Sequence, residues 1–405
     1  MSQVPPRAST DPLTGLQAAR FRLYIHFPFC LSKCPYCDFA STVARRVPQA
    51  RYTNAVLREL ALRLEALPRL RTEPVESIFI GGGTPSLWEP QEVARVLDAV
   101  AGVLHVSRDA EVTLEANPGA SDAARFGAYR AAGVNRISIG VQSFERETLA
   151  ALGRAHDGDT AEAAFRSARA AGFANVSMDF IYGVHGQSLE GVVRDAHRAV
   201  SLGPEHLSAY ALTLDRESLA EEVPLAKQLR RGEVMLPPDE AVVTMSRAVR
   251  EVYASAGLGR YEISNYARPG FHSRHNALYW TGGEYLALGV GATGHWRERE
   301  GGGRYSNHRS AERYLEAVEA GTLPEASREP LTRRDLFAER LSMGLRLEAG
   351  IDVVAVCAQF GESSEARQTR IDTFVQHGLG YFDGTQLRLT PMGTDLHSEI
   401  SAQLI

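Results

Sequence analysis

Short apolar runs alternate with longer amphipathic stretches along most of this chain. Six runs have the length and the β-branched or aromatic content of strands, and a helical pattern follows each one. They are FRLYIHF (21–27), ESIFIGG (76–82), EVTLEAN (111–117), RISIGV (136–141), NVSMDFIYG (175–183) and HLSAYALT (206–213). Repeated strand–helix units build parallel sheets, so the pattern predicts an α/β fold, a partial six-unit (β/α)6 barrel of the TIM type with an open side.

The remaining segments divide the chain into further parts. Residues 1–20 mix Pro, Ser, Thr and charged residues without a helical or strand-like period, and this composition predicts a flexible lead-in. Residues 21–300 are then expected to form the barrel and its site. Gly-rich and Pro/Ser-containing stretches predict a linker over 301–331. Residues 332–405 then read as three short helices, a hairpin and a terminal helix. This order predicts a small C-terminal domain that resembles a winged helix.

Composition and charge narrow the classes of protein. The 405 residues include 44 basic and 49 acidic side chains, a formal net charge of −5, and 44% of them are hydrophobic. Neither this balance nor the winged-helix-like segment, which lacks a dense basic helix, favours binding of nucleic acid. The chain has no run of 18 apolar residues and no apolar signal segment. We therefore expect a cytoplasmic protein without a transmembrane segment, which leaves peripheral membrane contact and the oligomeric state open.

Three of the four cysteines lie together in CLSKCPYC, directly after the first predicted strand. Cys30, Cys34 and Cys37 can ligate three irons of a 4Fe-4S cluster and leave the fourth iron open for a substrate. A zinc site completed by His26, or buried thiols that happen to be neighbours, would give the same local sequence. Zinc knuckles usually pair two cysteine hooks, and the remaining Cys357 is alone. The spacing therefore favours the iron–sulfur cluster.

This loop resembles that of the radical S-adenosylmethionine (SAM) family. IFIGGGTPS (78–86) resembles the family's segment that holds the methionyl amine, and YIHFPFC, EANP, GVQSF, LGRAH and DFIYG resemble its coproporphyrinogen-oxidase-like branch. The resemblance extends from about residue 21 to 401. It implies that the amino and carboxyl groups of SAM chelate the open iron, and that a reduced cluster can cleave SAM to a 5′-deoxyadenosyl radical.

The resemblance also implies the positions of the SAM site. It places Tyr24 beside the cluster, and Gly83 and Thr84 at the methionyl end of SAM. The side chains implied to contact the ribose, the carboxylate and nearby groups are Glu115, Gln142, Arg154 and Asp179, and weaker candidates for the adenine side are Thr213 and the turn at 292–293. These residue types fit, because carboxylates accept hydrogen bonds from ribose hydroxyls and arginine binds a carboxylate with two N–H groups.

Two functions occur in this branch: oxygen-independent coproporphyrinogen III oxidases, which decarboxylate their substrate to protoporphyrinogen IX, and HemW haem chaperones. The oxidase pattern has a fourth cysteine where this chain has Phe39, and oxidases carry a longer segment before the first strand than the 23 residues that precede Tyr24. RHNALYW (274–280) resembles the HNxxYW stretch of HemW proteins. The chaperone resemblance implies no catalytic residue. It implies haem bound with His275 as a candidate axial ligand and delivered to acceptor apoproteins, respiratory haem proteins among them.

The chain departs from the usual HemW pattern at two places. YGVHGQ has His185 where Pro is common, and GATGHW has Thr293 and His295 where a GAHG-like turn is usual. Both departures are expected near the SAM or haem pocket.

Overall fold

The computed structural model describes residues 21–119, 122–214, 223–298 and 301–405. The lead-in predicted for residues 1–20 lies outside the described residues. The strands are β1 (Phe21–Phe27), β2 (Phe29–Cys30), β3 (Thr42–Val43), β4 (Pro74–Gly82), β5 (His105–Ala116), β6 (Arg136–Gln142), β7 (Val176–Tyr182), β8 (His206–Ala211), β9 (Gly259–Arg260), β10 (Asn265–Ala267), β11 (Tyr285–Gly289), β12 (Thr293–Glu298), β13 (Gly301–Asn307), β14 (Glu325–Leu331), β15 (Ile351–Asp352), β16 (Gly380–Phe382) and β17 (Gln386–Leu389).

Helices follow the strands. They are α1 (Gln49–Ala66), α2 (Pro90–Val103), α3 (Asp122–Ala131), α4 (Arg146–Ala151), α5 (Gly158–Ala170), α6 (Leu189–Ser201), α7 (Pro224–Arg230), α8 (Asp239–Ser255), α9 (Arg274–Trp280), α10 (Ala311–Glu319), α11 (Arg333–Gly344), α12 (Val353–Phe360), α13 (Glu365–Gln376), α14 (Pro391–Asp395) and α15 (His397–Leu404). Short 3₁₀ turns cover Pro68–Arg71 and Pro85–Leu87.

The six predicted strands form the centre of one large sheet and confirm the predicted fold class. They lie side by side in the order β1-β4-β5-β6-β7-β8, and every neighbouring pair is parallel. The sheet extends beyond β8 through β10 and β9, and beyond β1 through β11 to β14, giving twelve strands. No pairing joins the outer strands β14 and β9 within the described residues, so the barrel is open.

The linker predicted over 301–331 is wrong, because this segment forms β13, α10 and β14 of the main sheet. Its glycines serve close packing: a Cβ atom on Gly303 would lie 2.2 Å from the Trp296 ring. The segment is also joined to α1, where the buried Arg63 donates hydrogen bonds to Asn307 and Glu325.

The two faces of the sheet differ in polarity. On β6, Ile137, Ile139 and Val141 are fully buried in the main hydrophobic core. Arg136 and Ser138 alternate with them and point to the opposite, inner face. Ser177 and Asp179 continue this polar inner face on β7. The interior of the open barrel is therefore lined with polar side chains.

The C-terminal segment forms the predicted winged-helix-like arrangement. Helices α11, α12 and α13 precede the β16–β17 hairpin, which pairs with β15. A separate core includes Phe337, Leu341, Phe374 and Leu387. Arg346 forms an ion pair with the buried Glu262 and so connects this core to the main sheet. Within the described part of the chain, no helix is long and apolar enough to cross a membrane.

Candidate functional site

The three clustered cysteines line one cavity of about 310 Å³ at the carboxyl ends of the parallel strands, here called the cluster cavity. Cys30 ends β2, which pairs with β3, and Cys34 and Cys37 occupy the loop between these two strands. The Cys37 N–H donates to the Cys34 carbonyl oxygen at 3.2 Å and closes a tight turn. All three thiols are free, and Cys357 lies apart in the C-terminal core. The structure thus brings the predicted ligands together on one wall.

Two of the three thiols hold their protons more tightly than ordinary thiols before any metal binds. Burial raises the pKa of Cys30 and also that of Cys37. Metal ligation requires thiolates. Cluster binding at this loop must therefore release protons, and it is favoured as the pH rises.

A mononuclear zinc site does not fit this loop. No three His, Cys, Asp or Glu side chains in the described ranges lie close enough together to hold one metal ion. His26 is also engaged: Nδ1 is hydrogen-bonded to the Tyr24 hydroxyl at 2.9 Å and Nε2 to the Ala40 carbonyl oxygen at 2.9 Å. In a 4Fe-4S cluster each cysteine binds a different iron, so its sulfur atoms stand further apart than around a single ion. The donor set fits a cluster better than zinc.

Gly83 and Thr84, which the resemblance implies at the methionyl end of SAM, lie against the cysteine loop. A Cβ atom on Gly83 would lie 2.8 Å from the Pro28 carbonyl carbon and 3.0 Å from the Cys30 sulfur, so only glycine allows this approach. The Gly83 N–H donates to the Phe27 carbonyl oxygen at 2.7 Å. The Thr84 hydroxyl donates to the Cys30 sulfur at 3.4 Å.

A hydrogen-bonded chain joins two of the cysteines across the cavity. Arg154 donates to the Cys34 sulfur at 3.5 Å and to the Asn117 side-chain oxygen at 2.6 Å. Asn117 in turn donates to the Thr84 hydroxyl at 3.1 Å, and Thr84 contacts Cys30. Arg154 therefore faces the cavity, where its charge can hold an anionic group.

Glu115 and Asp179 both lie in the barrel interior, where the charge of Asp179 acts on Glu115. Burial, and then the neighbouring charge of Asp179, raise the pKa of Glu115 to about 7. Burial also raises the pKa of Asp179, although hydrogen bonds such as that from the Ser138 hydroxyl at 2.9 Å oppose the shift. Both carboxyls line the cluster cavity. They are placed to accept hydrogen bonds from ligand hydroxyl or ammonium groups.

Gln142 also lines the cluster cavity, at the carboxyl end of β6. Its φ of 65° is the one positive value at a non-glycine residue among the described residues. A residue other than glycine, asparagine or aspartate rarely adopts this conformation. Such strain is typical of residues whose position serves a binding site.

A second cavity of about 240 Å³, here called the inner chamber, adjoins the first deeper in the barrel. Both cavities share the residues Phe39, Glu115, Ser138, Asp179 and Tyr210. Tyr24, expected beside the cluster, lines the inner chamber and stacks on Phe79. Phe39, at the place of the absent fourth cysteine, is 61% exposed and borders both cavities.

His275 is buried, and both of its ring nitrogens have partners. Nδ1 is hydrogen-bonded to the Ser77 hydroxyl at 3.0 Å and Nε2 to the Tyr279 hydroxyl at 3.2 Å. Burial, reinforced by the charge of Arg22, holds its pKa well below the ordinary value. Iron could reach Nε2 only after Tyr279 moved. Axial ligation by His275 stays a prediction that this arrangement does not favour.

The weaker candidates lie away from both cavities. Thr213 is exposed and donates to the Ala211 carbonyl oxygen, and Thr293 bonds Ser306 within the sheet. His185 forms a hydrogen bond with the Met235 backbone at the surface. His295 is buried and packs against Tyr285. None of the four is among the cavity-lining residues, so these departures from the HemW pattern do not alter either wall.

Asn117 and Arg136 are among the polar residues of the site that sequence reasoning missed. Asn117 lies in the EANP motif, which the resemblance quoted without a role for this residue. Arg136 begins β6 on the same face as Ser138, and the alternation along RISIGV could have placed it inside the barrel. Both line a cavity.

Family models and known proteins agree with this architecture. The radical SAM superfamily model matches residues 24–199 and the HemN C-terminal domain model matches residues 331–396. The fold is similar to that of the coproporphyrinogen III oxidase HemN from Escherichia coli, with a TM-score of 0.79, 21% identity and coverage of 98% of this chain and 93% of that one. This likeness concerns the fold.

Proteins with higher sequence identity to this chain are named differently from that oxidase. The chain is 35% identical to the heme chaperone HemW of Mycobacterium tuberculosis H37Rv over 396 residues, 97% of each protein. It is 41% identical to the heme chaperone HemW of Escherichia coli K12 over 273 residues, 67% of this chain and 69% of that protein. It is also 37% identical over 346 residues to the mitochondrial radical S-adenosyl methionine domain-containing protein 1 of Bos taurus, covering 84% and 76%. The chain therefore belongs to the HemW family of the radical SAM superfamily.

Proposed function

We propose that this protein is a haem chaperone that holds a 4Fe-4S cluster, binds SAM beside it, and delivers haem to acceptor proteins. The observation that carries the proposal is the set of three free thiols on one wall of the cluster cavity, in a chain that matches HemW proteins over nearly its whole length. Cys30, Cys34 and Cys37 would hold the cluster. When bound, the cluster supplies an open iron for SAM and an electron source.

The residues around the cavity would bind SAM. Gly83 leaves room for the methionyl end, because its missing side chain keeps the backbone open next to Cys30. Arg154 would hold the carboxylate of SAM, and Glu115 and Asp179 would accept hydrogen bonds from its hydroxyl and amino groups. Gln142 completes the wall of the cavity. These assignments rest on the positions and polarity of the side chains.

Haem would bind over the mouth shared by the two cavities. Phe39 is exposed there and can cover part of the apolar macrocycle. The acceptors would be haem proteins, with respiratory haem proteins as the expected class. The proposal places the protein in the cytoplasm, where unpaired thiols stay reduced.

The alternative function is that of an oxygen-independent coproporphyrinogen III oxidase, which the overall fold would also accommodate. Phe39 argues against it, because the oxidase pattern has a cysteine at this place. The test is to reconstitute the cluster without oxygen and to titrate haem into the protein. We expect uptake of about one haem per chain and its transfer to an apo-haem protein; protein that binds no haem would overturn the proposal.

A further inference from the structure

The inner chamber contains a buried arginine, Arg136, that has no hydrogen-bond partner among the described residues. Arg136 is 2% exposed and projects from β6 toward the barrel interior, on the same face as Ser138. Its guanidinium forms no hydrogen bond or ion pair within the described ranges, and its Nε has no acceptor there. A buried charge without a partner is destabilising. Arg136 therefore has N–H groups available for a ligand.

The acidic side chains of the chamber do not fill this role. Glu115 accepts a hydrogen bond from the Gly82 N–H at 3.0 Å, and Asp179 accepts one from the Ser138 hydroxyl at 2.9 Å. Neither carboxylate forms an ion pair with Arg136 in the described part of the chain. Arg136 acts on both only at longer range, favouring their charged forms. No described residue accepts a hydrogen bond from the guanidinium.

Asn276 lines the same chamber and supplies a second side-chain donor that has no acceptor among the described residues. It lies in the first turn of α9, which is fixed because the Ser273 hydroxyl accepts from the Asn276 backbone N–H at 3.3 Å. Glu111 accepts from the neighbouring backbone N–H groups of Arg274 and His275. The Asn276 side chain lines the chamber, and no hydrogen bond from it occurs within the described residues. Its amide is therefore held at the chamber wall with its donors free.

We propose that Arg136 and Asn276 bind a carboxylate group that enters the inner chamber. A guanidinium binds a carboxylate with two parallel hydrogen bonds, and an amide N–H adds a third. The chamber, about 240 Å³, lies below the range for a whole drug-sized ligand, so it accepts an arm of a larger molecule. This inference rests on the proposed function, in which the carboxylate is a haem propionate; a SAM carboxylate bound here would replace the assignment of that group to Arg154.

The test uses two ligand pairs that differ only in the carboxylate. Cluster-loaded protein is titrated with haem and with haem dimethyl ester, followed in the Soret band, and with SAM and decarboxylated SAM, followed by calorimetry. The variants are Arg136→Met and Asn276→Ala, with Arg136→Lys keeping the charge without the planar fork. Removal of an unpaired buried charge should leave the fold intact, which circular dichroism and iron content check.

We expect Arg136→Met to weaken the binding of haem about tenfold or more and to leave the binding of haem dimethyl ester unchanged. Asn276→Ala should lose less affinity for haem, and Arg136→Lys should recover part of the affinity that Arg136→Met loses. If Arg136→Met weakens the binding of SAM but not that of decarboxylated SAM, and has no such effect on the haem pair, the chamber binds the carboxylate of SAM. Equal effects on both members of each pair, or no effect, would overturn the proposal. If the wild type binds no haem, the chaperone function fails, and the SAM pair alone decides the chamber proposal.

Discussion

Burial controls the charge of the acidic side chains around the site. Glu115 and Asp179 lie in the barrel interior, where removal from water raises the pKa of both. The same cause raises the pKa of the Cys30 and Cys37 thiols. Cations that reach this interior, such as the sulfonium and ammonium of SAM, would restore the ionised forms. At the scale of the residue, the site is therefore suited to a positively charged ligand.

The stability of the cluster-free protein should depend on Glu115. Its pKa in the folded protein is about 7, above the ordinary value of 4.5, so the folded state keeps a proton that the unfolded state loses. The free energy of unfolding should fall as the pH rises from about 4.5 to 7. Glu115→Gln should reduce this dependence and stabilise the protein at pH 8 by about 3 kcal/mol.

Urea unfolding at pH 5 and pH 8 measures this effect. Glu65→Gln, at an exposed position of α1, is the matched control and should leave the pH dependence of the wild type unchanged. A Glu115→Gln variant with the same slope as the wild type would show that Glu115 titrates normally.

The cysteine assignment predicts a sharp contrast between residues. Replacement of Cys30, Cys34 or Cys37 by alanine removes a cluster ligand and should reduce the iron and sulfide bound after anaerobic reconstitution. Cys357→Ala is the matched control, because Cys357 lies in the C-terminal core and should leave cluster content intact. Wild-type iron in Cys34→Ala, or its loss in Cys357→Ala, would contradict the assignment.

SAM affinity should depend on Asp179. Asp179→Asn keeps the shape of the side chain and removes a charged acceptor, so SAM should bind the cluster-loaded protein about tenfold or more weakly by calorimetry. Asp159→Asn, at an exposed position of α5, should have no effect. Unchanged affinity in Asp179→Asn would remove Asp179 from the SAM site.

At the scale of elements, the sequence predicted the strands that have a local signal. The six parallel strands are β-branched runs bounded by turn residues, and their loops carry the cysteines and the GGG turn. Strands β13 and β14 were missed because GGGRYSN is rich in glycine and EASREPL is largely polar and exposed. Their strand structure depends on packing between distant residues, as at Gly303 and Trp296. Such contacts leave no periodic pattern in the sequence.

The same distinction between local sequence signals and distant contacts applies to the candidate site residues. Gly83 directly follows β4, Glu115 lies near the carboxyl end of β5, and Arg154 follows α4. The motifs singled out all three residues, and all three line the cluster cavity. Arg136 lies at the beginning of its strand and carries no motif, and the environment of His275 depends on Ser77, almost 200 residues away in the chain. Long-range placement of this kind requires the folded structure.

The segment 301–331 should be energetically coupled to α1. Arg63 is 1% exposed and pairs with the fully buried Glu59, while also bonding Asn307 and Glu325. Arg63→Met leaves Glu59 buried without its partner and should lower the free energy of unfolding by about 3 kcal/mol or more. Arg69→Met breaks only the exposed pair with Glu284 and should change it by less than about 1 kcal/mol.

Chemical denaturation of the three proteins measures both values. Equal small effects of Arg63→Met and Arg69→Met would show that the contact between α1 and β13–β14 contributes little to stability.

At the scale of the whole molecule, an open barrel places two connected cavities under one mouth. The cluster cavity carries the thiols and the inner chamber carries Arg136, and Phe39 lies where they meet. The C-terminal domain packs on the sheet through Arg346 and Glu262, on the side of α9. This arrangement can hold a large, flat ligand at the mouth while polar groups bind within.

The proposed function requires that the protein carries haem and does not decarboxylate a porphyrinogen. The most direct test divides one sample of anaerobically reconstituted protein into two portions. One portion receives haem, and the other receives coproporphyrinogen III with SAM and a strong reductant. We predict a Soret band that saturates at about one haem per chain, and coproporphyrinogen III recovered unchanged. Formation of protoporphyrinogen IX by the purified protein would contradict the account and establish the oxidase alternative.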